Sequence, residues 1–315
     1  MKKIIGKFLR KILPSKIYKL IANGWIVVPK YYEALIDDAE LYMNLSLEDS
    51  IKKDILLLRK YAHIIDKGLH REDAEPGHSN SIYIELKSLV DKLSQTDYAD
   101  DPSYIWAKDR LHNYEILQND CARFVHLRGD VPPIPPYSYD VLFEIIKQRR
   151  SCRDFEEKNL EVLAINKICA AADWASSSCN KQPLKIFITN NPSLAAECLK
   201  CCKGGTGFSN FIPSFWVVTA NCRGYVWPTE IMLPTLDGSL GLQNMLLIAH
   251  TLGISGTILT WAQKSLQDDA KLRKLLLIPE DYIIICCAVM GYPKSYFKVP
   301  SRKKPEVSVI NHSVM

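Results

Sequence analysis

Three guanidinium groups and a hydroxyl fall within five consecutive positions of this chain, Arg149-Arg150-Ser151-Cys152-Arg153. Guanidinium forks pair with phosphate oxygens and a serine hydroxyl adds a donor, so this spacing suits capture of a phosphorylated ligand. The same composition also suits an ordinary helix C-terminus, where cations complement the dipole. The element that must position these residues lies just upstream. Leu142, Ile145 and Ile146, after a cap at Asp140, keep helical spacing and predict a helix ending at the arginines.

Downstream, helices and strands alternate. Leu160, Ala164, Ile168, Ala171 and Ala175 share one face of a helix over 160–175, and Leu184 to Thr189 reads as a strand. Asn191-Pro192 starts the next helix with proline in its first turn. Gly204 to Gly207 form a flexible loop, and no Gly-Lys-Ser/Thr start follows, which excludes a nucleotide P-loop. Further strands are expected at Phe215–Ala220 and Ser255–Leu259. Between them a helix over Asp237–Leu252 ends at Gly253. Ser265 with Asp268 offers a capping box. Tyr282 to Val289 is an unbroken apolar run of strand length, as in a strand buried on both faces.

Six pieces in order make residues 141 to about 305 resemble the FMN-dependent nitroreductase family. They are Arg-Arg-Ser-x-Arg-x-Phe at 149–155, Ser177-Ser178-Cys179-Asn180-Lys181-Gln182-Pro183, and Asp237 to Ala249 with Gln243-Asn244 in an apolar helix. Leu252-Gly253-Ile254-Ser255-Gly256-Thr257, Gly291-Tyr292-Pro293 and Ser301-Arg302-Lys303-Lys304-Pro305 complete the set. The resemblance implies an α+β fold, with a mixed or antiparallel sheet flanked by helices and a helical N-terminal extension. It implies a homodimer with two FMN sites at the subunit interface. The implied activity is a ping-pong oxidoreductase that passes electrons from NAD(P)H through FMN to a small-molecule acceptor of nitro, quinone or enone type.

The resemblance also implies roles. Arg149, Arg150 and Ser151 align with FMN phosphate and ribityl contacts, joined by Arg302, and Arg153 with a cation at the pyrimidine edge of the flavin. Ser177, Ser178, Asn180 and Gln182 align with contacts reaching across from the second subunit. Leu259, Thr260 and Trp261 align with the segment beside flavin N5, so Arg153 and Thr260 stand nearest the chemistry. Two positions depart from the family pattern: Pro300 replaces a basic residue, and Leu184 an aromatic one. Those departures leave room for a non-catalytic interaction protein that keeps the fold. His63-Ile64-Ile65-Asp66-Lys67-Gly68-Leu69 resembles an element of a nitroreductase-like subgroup associated with bacterial surface-polysaccharide gene clusters, with Asp66 in place of glutamate. That leaves room for a flavin-dependent tailoring enzyme acting on a lipid-linked or saccharide intermediate.

Composition bounds these readings. The chain has 315 residues, 47% hydrophobic and 24% charged, which is globular rather than disordered. The net charge of +5 is uneven: residues 1–32 hold eight Lys or Arg and no acid, so the remainder is itself negative. An anionic partner therefore belongs to the N-terminus, and nothing points to nucleic acid. Residues 1–21 mix seven basic residues with Ile4, Ile5, Phe8, Leu9, Ile12, Leu13, Ile17 and Leu20, interrupted at Pro14. That pattern suits either a segment lying on an anionic membrane surface or a helix docked on the body with lysines in water. A cytoplasmic protein, peripheral at the inner face of the membrane, is the expectation.

Residues 47–122 read as helical, with helices near 51–68 (stopped by Gly68), 81–95 and 103–122. Four prolines in Val131–Pro136 mark a linker. The division is then a helical extension over 1–130, the linker at 131–136 and the FMN-binding domain at 137–315. The ten cysteines suit reduced, buried thiols. Cys198, Cys201, Cys202 and Cys222 lack a second Cys-x-x-Cys. For His63, Asp66, His70 and His78 a solvated loop with a helix cap is a cheaper account than a metal site, so none is expected.

Overall fold

A computed structural model describes residues 28–71, 74–119, 139–262, 264–295, 302 and 305–309. The basic segment 1–21 and the proline linker lie outside them. Four helices come first: α1 (Val28–Leu47), α2 (Ile51–Leu69), α3 (Asn80–Leu93) and α4 (Pro102–Asn119). The second half runs α5 (Tyr139–Gln148), α6 (Val162–Asp173), β1 (Leu184–Thr189), α7 (Pro192–Leu199), β2 (Phe215–Asn221), α8 (Leu233–Thr251), β3 (Ser255–Thr260), α9 (Leu266–Leu276) and β4 (Tyr282–Gly291). The strands order β1-β2-β4-β3, with every pairing antiparallel. The fold is α+β.

Strand alternation builds two cores. Phe215 and Val217 of β2, with Cys287 and Val289 of β4, face a layer that includes Ala195, Cys198 and Leu199 of α7 and Leu272 of α9. Trp216 and Val218, with Cys286, Ala288 and Met290, face Ile168 and Ala172 of α6 and Leu242, Met245, Leu246 and Ala249 of α8. Covering both faces makes β2 buried along its whole length. Each such apolar side chain contributes about 1.5–3 kcal/mol by leaving water. Cys198, Cys201, Cys202 and Cys287 are core residues of the first layer, where thiols pack as small hydrophobes. Cys222 sits elsewhere, with Ala220, Tyr225 and Tyr42 of α1.

Helices α2, α3 and α4 enclose their own core around Leu58, Ile65, Leu86, Leu93 and Tyr114. The segment from α1 to α2 also bonds to the second half. Lys264 donates to Asp38 at 2.7 Å, Arg223 pairs with Glu48, and Lys60 reaches Glu230 at 3.3 Å.

Three local expectations shift. Helix α8 begins at Leu233 rather than Asp237, because Pro234 fits its first turn, where no amide hydrogen is needed. Helix α6 is shorter at both ends than 160–175. Gly68 does not stop α2, which passes through it to Leu69. A Cβ there would lie 2.1 Å from the His78 ring, so close packing is what calls for glycine. Gly253 does end α8, at φ 72°. Asn191 caps α7 by accepting from the Leu194 amide at 3.1 Å, and Ser265 caps α9 in the expected way.

Candidate functional site

Helix α5 has an exposed apolar face and delivers Arg149 and Arg150 at its C-terminal end. The following segment is pinned to the sheet, since the Thr257 hydroxyl of β3 donates to the Cys152 carbonyl at 2.6 Å and is buried. Phe155 bridges to Pro293 and is buried, which fixes the segment behind the arginines. The Arg150 guanidinium caps the helix end on the carbonyls of Lys147 and Arg149.

Arg302 comes from the far end of the chain to the same place. The Arg149 guanidinium is held below its usual range by burial first, then by repulsion from Arg302 and Arg150. His250, in the last turn of α8, is likewise pushed below the usual imidazole range by burial, then by Arg149 and Arg150. Among the described residues, no carboxylate pairs with Arg149, Arg150 or Arg302. Clustered cations without counter-charges repel one another, and an oxyanion among them would relieve that repulsion. Arg153 stands beside this group, its guanidinium 5.8 Å over the Phe208 ring and its carbonyl accepting from Ser209 at 2.8 Å. Ser151 is exposed.

Thr260 ends β3 and Trp261 follows it, three and four residues beyond the Thr257 anchor, Thr260 lying about 10 Å along the strand. Leu259 is buried in the core. Trp261 is buried, with its indole N–H on Asp269 at 3.2 Å. A cavity of about 280 Å³ opens here, lined by Thr260, Trp261, Met232 and, from α1, Ala34, Asp38 and Tyr42. The Tyr42 hydroxyl is buried and has no partner among the described residues.

The loop Ser177–Gln182 precedes β1. Ser178 donates through both its amide and its hydroxyl to Asp237 Oδ1 at 2.8 Å, and Tyr225 holds the other oxygen of Asp237 at 2.8 Å. Ser177 Oγ accepts from the Gln182 amide at 3.1 Å, and Gln182 Nε2 donates to Asn180 Oδ1 at 3.0 Å. Gln182 is exposed. A cleft of about 320 Å³ beside the loop is lined by Asp173, Ser176, Ser177 and Gln182. Asp237, which anchors the loop, and His250, which feels the arginines, are thirteen residues apart on α8, about 20 Å. One chain therefore brings Arg149, Arg150, His250 and Arg302 together and keeps the 177–182 loop apart from them.

Sequence reasoning missed several of these participants. Asp237 appeared only as a helix residue, His250 not at all, and Lys181 only as a loop position. Lys181 is buried at 1% exposure, its ammonium on Glu230 Oε2 and the Gly224 carbonyl at 2.6 Å each. No short-range signal marks such residues, because their partners are distant in the chain.

Comparison with known proteins places the arginine segment. Residues 146–206 match the nitroreductase family. A protein of Archaeoglobus fulgidus with the provisional name NADH dehydrogenase/NAD(P)H nitroreductase is 28% identical over 169 residues, covering 52% of this chain and 93% of its own length. A protein of Methanothermobacter thermautotrophicus with the same provisional name is 28% identical over 187 residues, 54% of this chain and 83% of its own. A Bacteroides fragilis nitroreductase solved with bound FMN aligns at 20% identity and TM-score 0.44, over 54% of this chain and 98% of that one. The two relatives align with about half of this chain, and the first helices lie outside the family match at 146–206.

Proposed function

We propose that this chain is an FMN-dependent oxidoreductase, taking electrons from NAD(P)H and passing them to a small organic acceptor. The observation that carries the reading is the cation cluster of Arg149, Arg150 and Arg302 beside His250, which lacks a carboxylate partner among the described residues. An FMN phosphate fits there, and bound FMN would supply the electron-carrying ring. Arg149 and Arg302 would grip the phosphate, with Ser151 as a neutral donor. Arg153 would set a positive charge near the ring, and the Thr260–Trp261 backbone would meet its far edge. Donor and acceptor would occupy the same ring face in turn, a ping-pong arrangement. The cavity at Trp261, walled mainly by apolar side chains, suits an uncharged acceptor such as a quinone or nitroaromatic.

The reading includes a homodimer. Because the phosphate cluster and the 177–182 loop lie about 20 Å apart along α8, one flavin could use both only if the loop came from a second copy. Tyr139, Val141, Leu142, Phe143 and Ile146 of α5 are exposed apolar residues, and so are Leu236, Leu240 and Ile248 of α8. Such faces mark association surfaces. Residues 1–21 would hold the dimer to an anionic bilayer surface. No helix among the described residues is long and apolar enough to cross a membrane.

The test is a spectrum of the purified chain. A flavin absorption band that NADH or NADPH bleaches under anaerobic conditions, and that benzoquinone restores, is the expected result. A colourless protein that takes up no FMN would overturn the reading.

A further inference from the structure

The Ser177–Gln182 loop is held in an unfavourable backbone shape. Cys179, Asn180 and Gln182 have φ of 52°, 51° and 49°, the left-handed region that β-carbons disfavour. Three such residues within four positions persist only where surrounding contacts fix them. One of those contacts comes directly from α2, and the next residue of that helix reaches the loop through Glu230. Arg59 Nε donates to the Asn180 carbonyl at 2.6 Å, across 121 residues of chain. Its guanidinium also donates to Ser103 Oγ of α4 at 3.1 Å and lies 5.1 Å over the Trp106 ring. Arg59 is buried at 8% exposure and forms no ion pair among the described residues. Burial accordingly pulls its guanidinium below the usual range. A buried, unpaired arginine is costly, and here its donors go to helix α4 and to this loop. Lys60, the next residue, reaches Glu230 Oε1 at 3.3 Å, whose other oxygen holds Lys181 of the same loop. Adjacent residues of one helix therefore grip both the carbonyl of Asn180 and the ion pair of Lys181.

We propose that Arg59 and Lys60 are positioning residues for the Ser177–Gln182 loop, which makes the N-terminal helices a built-in clamp on the flavin site. The flavin part rests on the function proposed above; the clamp on the loop does not. Arg59 touches no reacting atom. It acts through Asn180, whose side chain and neighbour Gln182 form the loop's polar face.

The experiment compares the full chain with its Arg59→Met, Arg59→Lys and Lys60→Met variants. Methionine keeps a stem against Trp106 but removes every donor, whereas lysine retains a cationic donor group. Amide hydrogen exchange is read peptide by peptide, and FMN affinity by flavin fluorescence titration. Arg59→Met is expected to speed exchange within residues 177–183 by about tenfold, without matching acceleration in α6 or β2. It is also expected to raise the FMN dissociation constant about tenfold, the loss of one charge-assisted bond. Arg59→Lys should recover part of both. Unchanged exchange at 177–183 in Arg59→Met overturns the clamp, and so does acceleration spread evenly over the whole chain. Should Arg59→Met fail to fold, Lys60→Met, at a partly exposed position, carries the same exchange test. Should the wild-type chain bind no FMN, the proposed function fails and the exchange result alone decides the clamp.

Discussion

Removing Glu230 should destabilise this protein far more than its partly exposed position suggests. Its carboxylate balances Lys181, whose ammonium is 1% exposed, 2.6 Å from Glu230 Oε2 and 4.8 Å from the Tyr225 ring centre. A buried ammonium without its counter-ion keeps the desolvation cost and loses the compensating attraction. Breaking such a pair from one side typically costs about 3–5 kcal/mol. Glu230 retains some solvent access and the Gly224 carbonyl remains on Lys181, so about 2–4 kcal/mol is expected for Glu230→Ala. Lys181→Met should cost less, about 1–2 kcal/mol, because Glu230 keeps Lys60 at 3.3 Å and the Val226 amide at 3.0 Å. The double variant should resemble Lys181→Met, since no buried charge is then left alone. Burial pushes the Glu230 carboxyl up, but Lys181, the Val226 amide and Lys60 together hold it below its usual range. Its stabilisation is therefore present above the ordinary carboxylate pKa and lost as pH falls through the depressed one. Urea unfolding of the four proteins at neutral pH, repeated in acid, is the assay. A Glu230→Ala protein as stable as wild type, or a double variant worse than the sum of its parts, would refute the reasoning.

Three further outcomes follow from the same geometry. His250 is held below the usual imidazole range by burial and by Arg149 and Arg150, so its contribution is present above about pH 6.5 and lost as pH falls through the lowered value. Flavin-free wild-type protein should lose more thermal stability between pH 7.5 and 5.5 than His250→Gln does, as scanning calorimetry can show. Replacing Leu142 and Ile146 on the exposed face of α5 by glutamate should give a folded monomer by sedimentation that has lost FMN; a dimer with flavin retained would contradict the interface. Deleting residues 1–21 should abolish salt-sensitive binding to anionic vesicles, where each basic residue contributes about 1 kcal/mol, while sparing FMN content. Loss of flavin on that deletion would place the segment against the body instead.

The sheet was legible because its strands carry their own signal. Leu184–Thr189 matches its predicted bounds, and the apolar run from Tyr282 is a strand buried in its middle and end. Local capping chemistry at Asn191 and Ser265 was equally readable, since donor and acceptor lie three residues apart. The meeting of Arg149 with Arg302 followed from the family resemblance and not from any pattern in either segment. Helix α1 went unread: among its described side chains only Ala34 and Tyr42 are fully buried, so they form no continuous apolar stripe. Gly68 misled because a glycine at a helix end and a glycine under a neighbouring ring look the same in sequence. The grip of Arg59 on Asn180 joins residues 121 positions apart, and no local pattern announces it.

The central claim, that Arg149 and Arg302 hold a phosphate-bearing flavin, is tested most directly by titrating the flavin-free chain with FMN and with riboflavin. Two charge-assisted phosphate contacts, about 1.5–3 kcal/mol each, predict that FMN binds at least about a hundredfold more tightly than riboflavin. In Arg149→Ala and Arg302→Ala the preference should shrink, with riboflavin binding unchanged. Equal affinity for the two flavins in the wild-type chain, or a preference that survives both substitutions, would contradict the account.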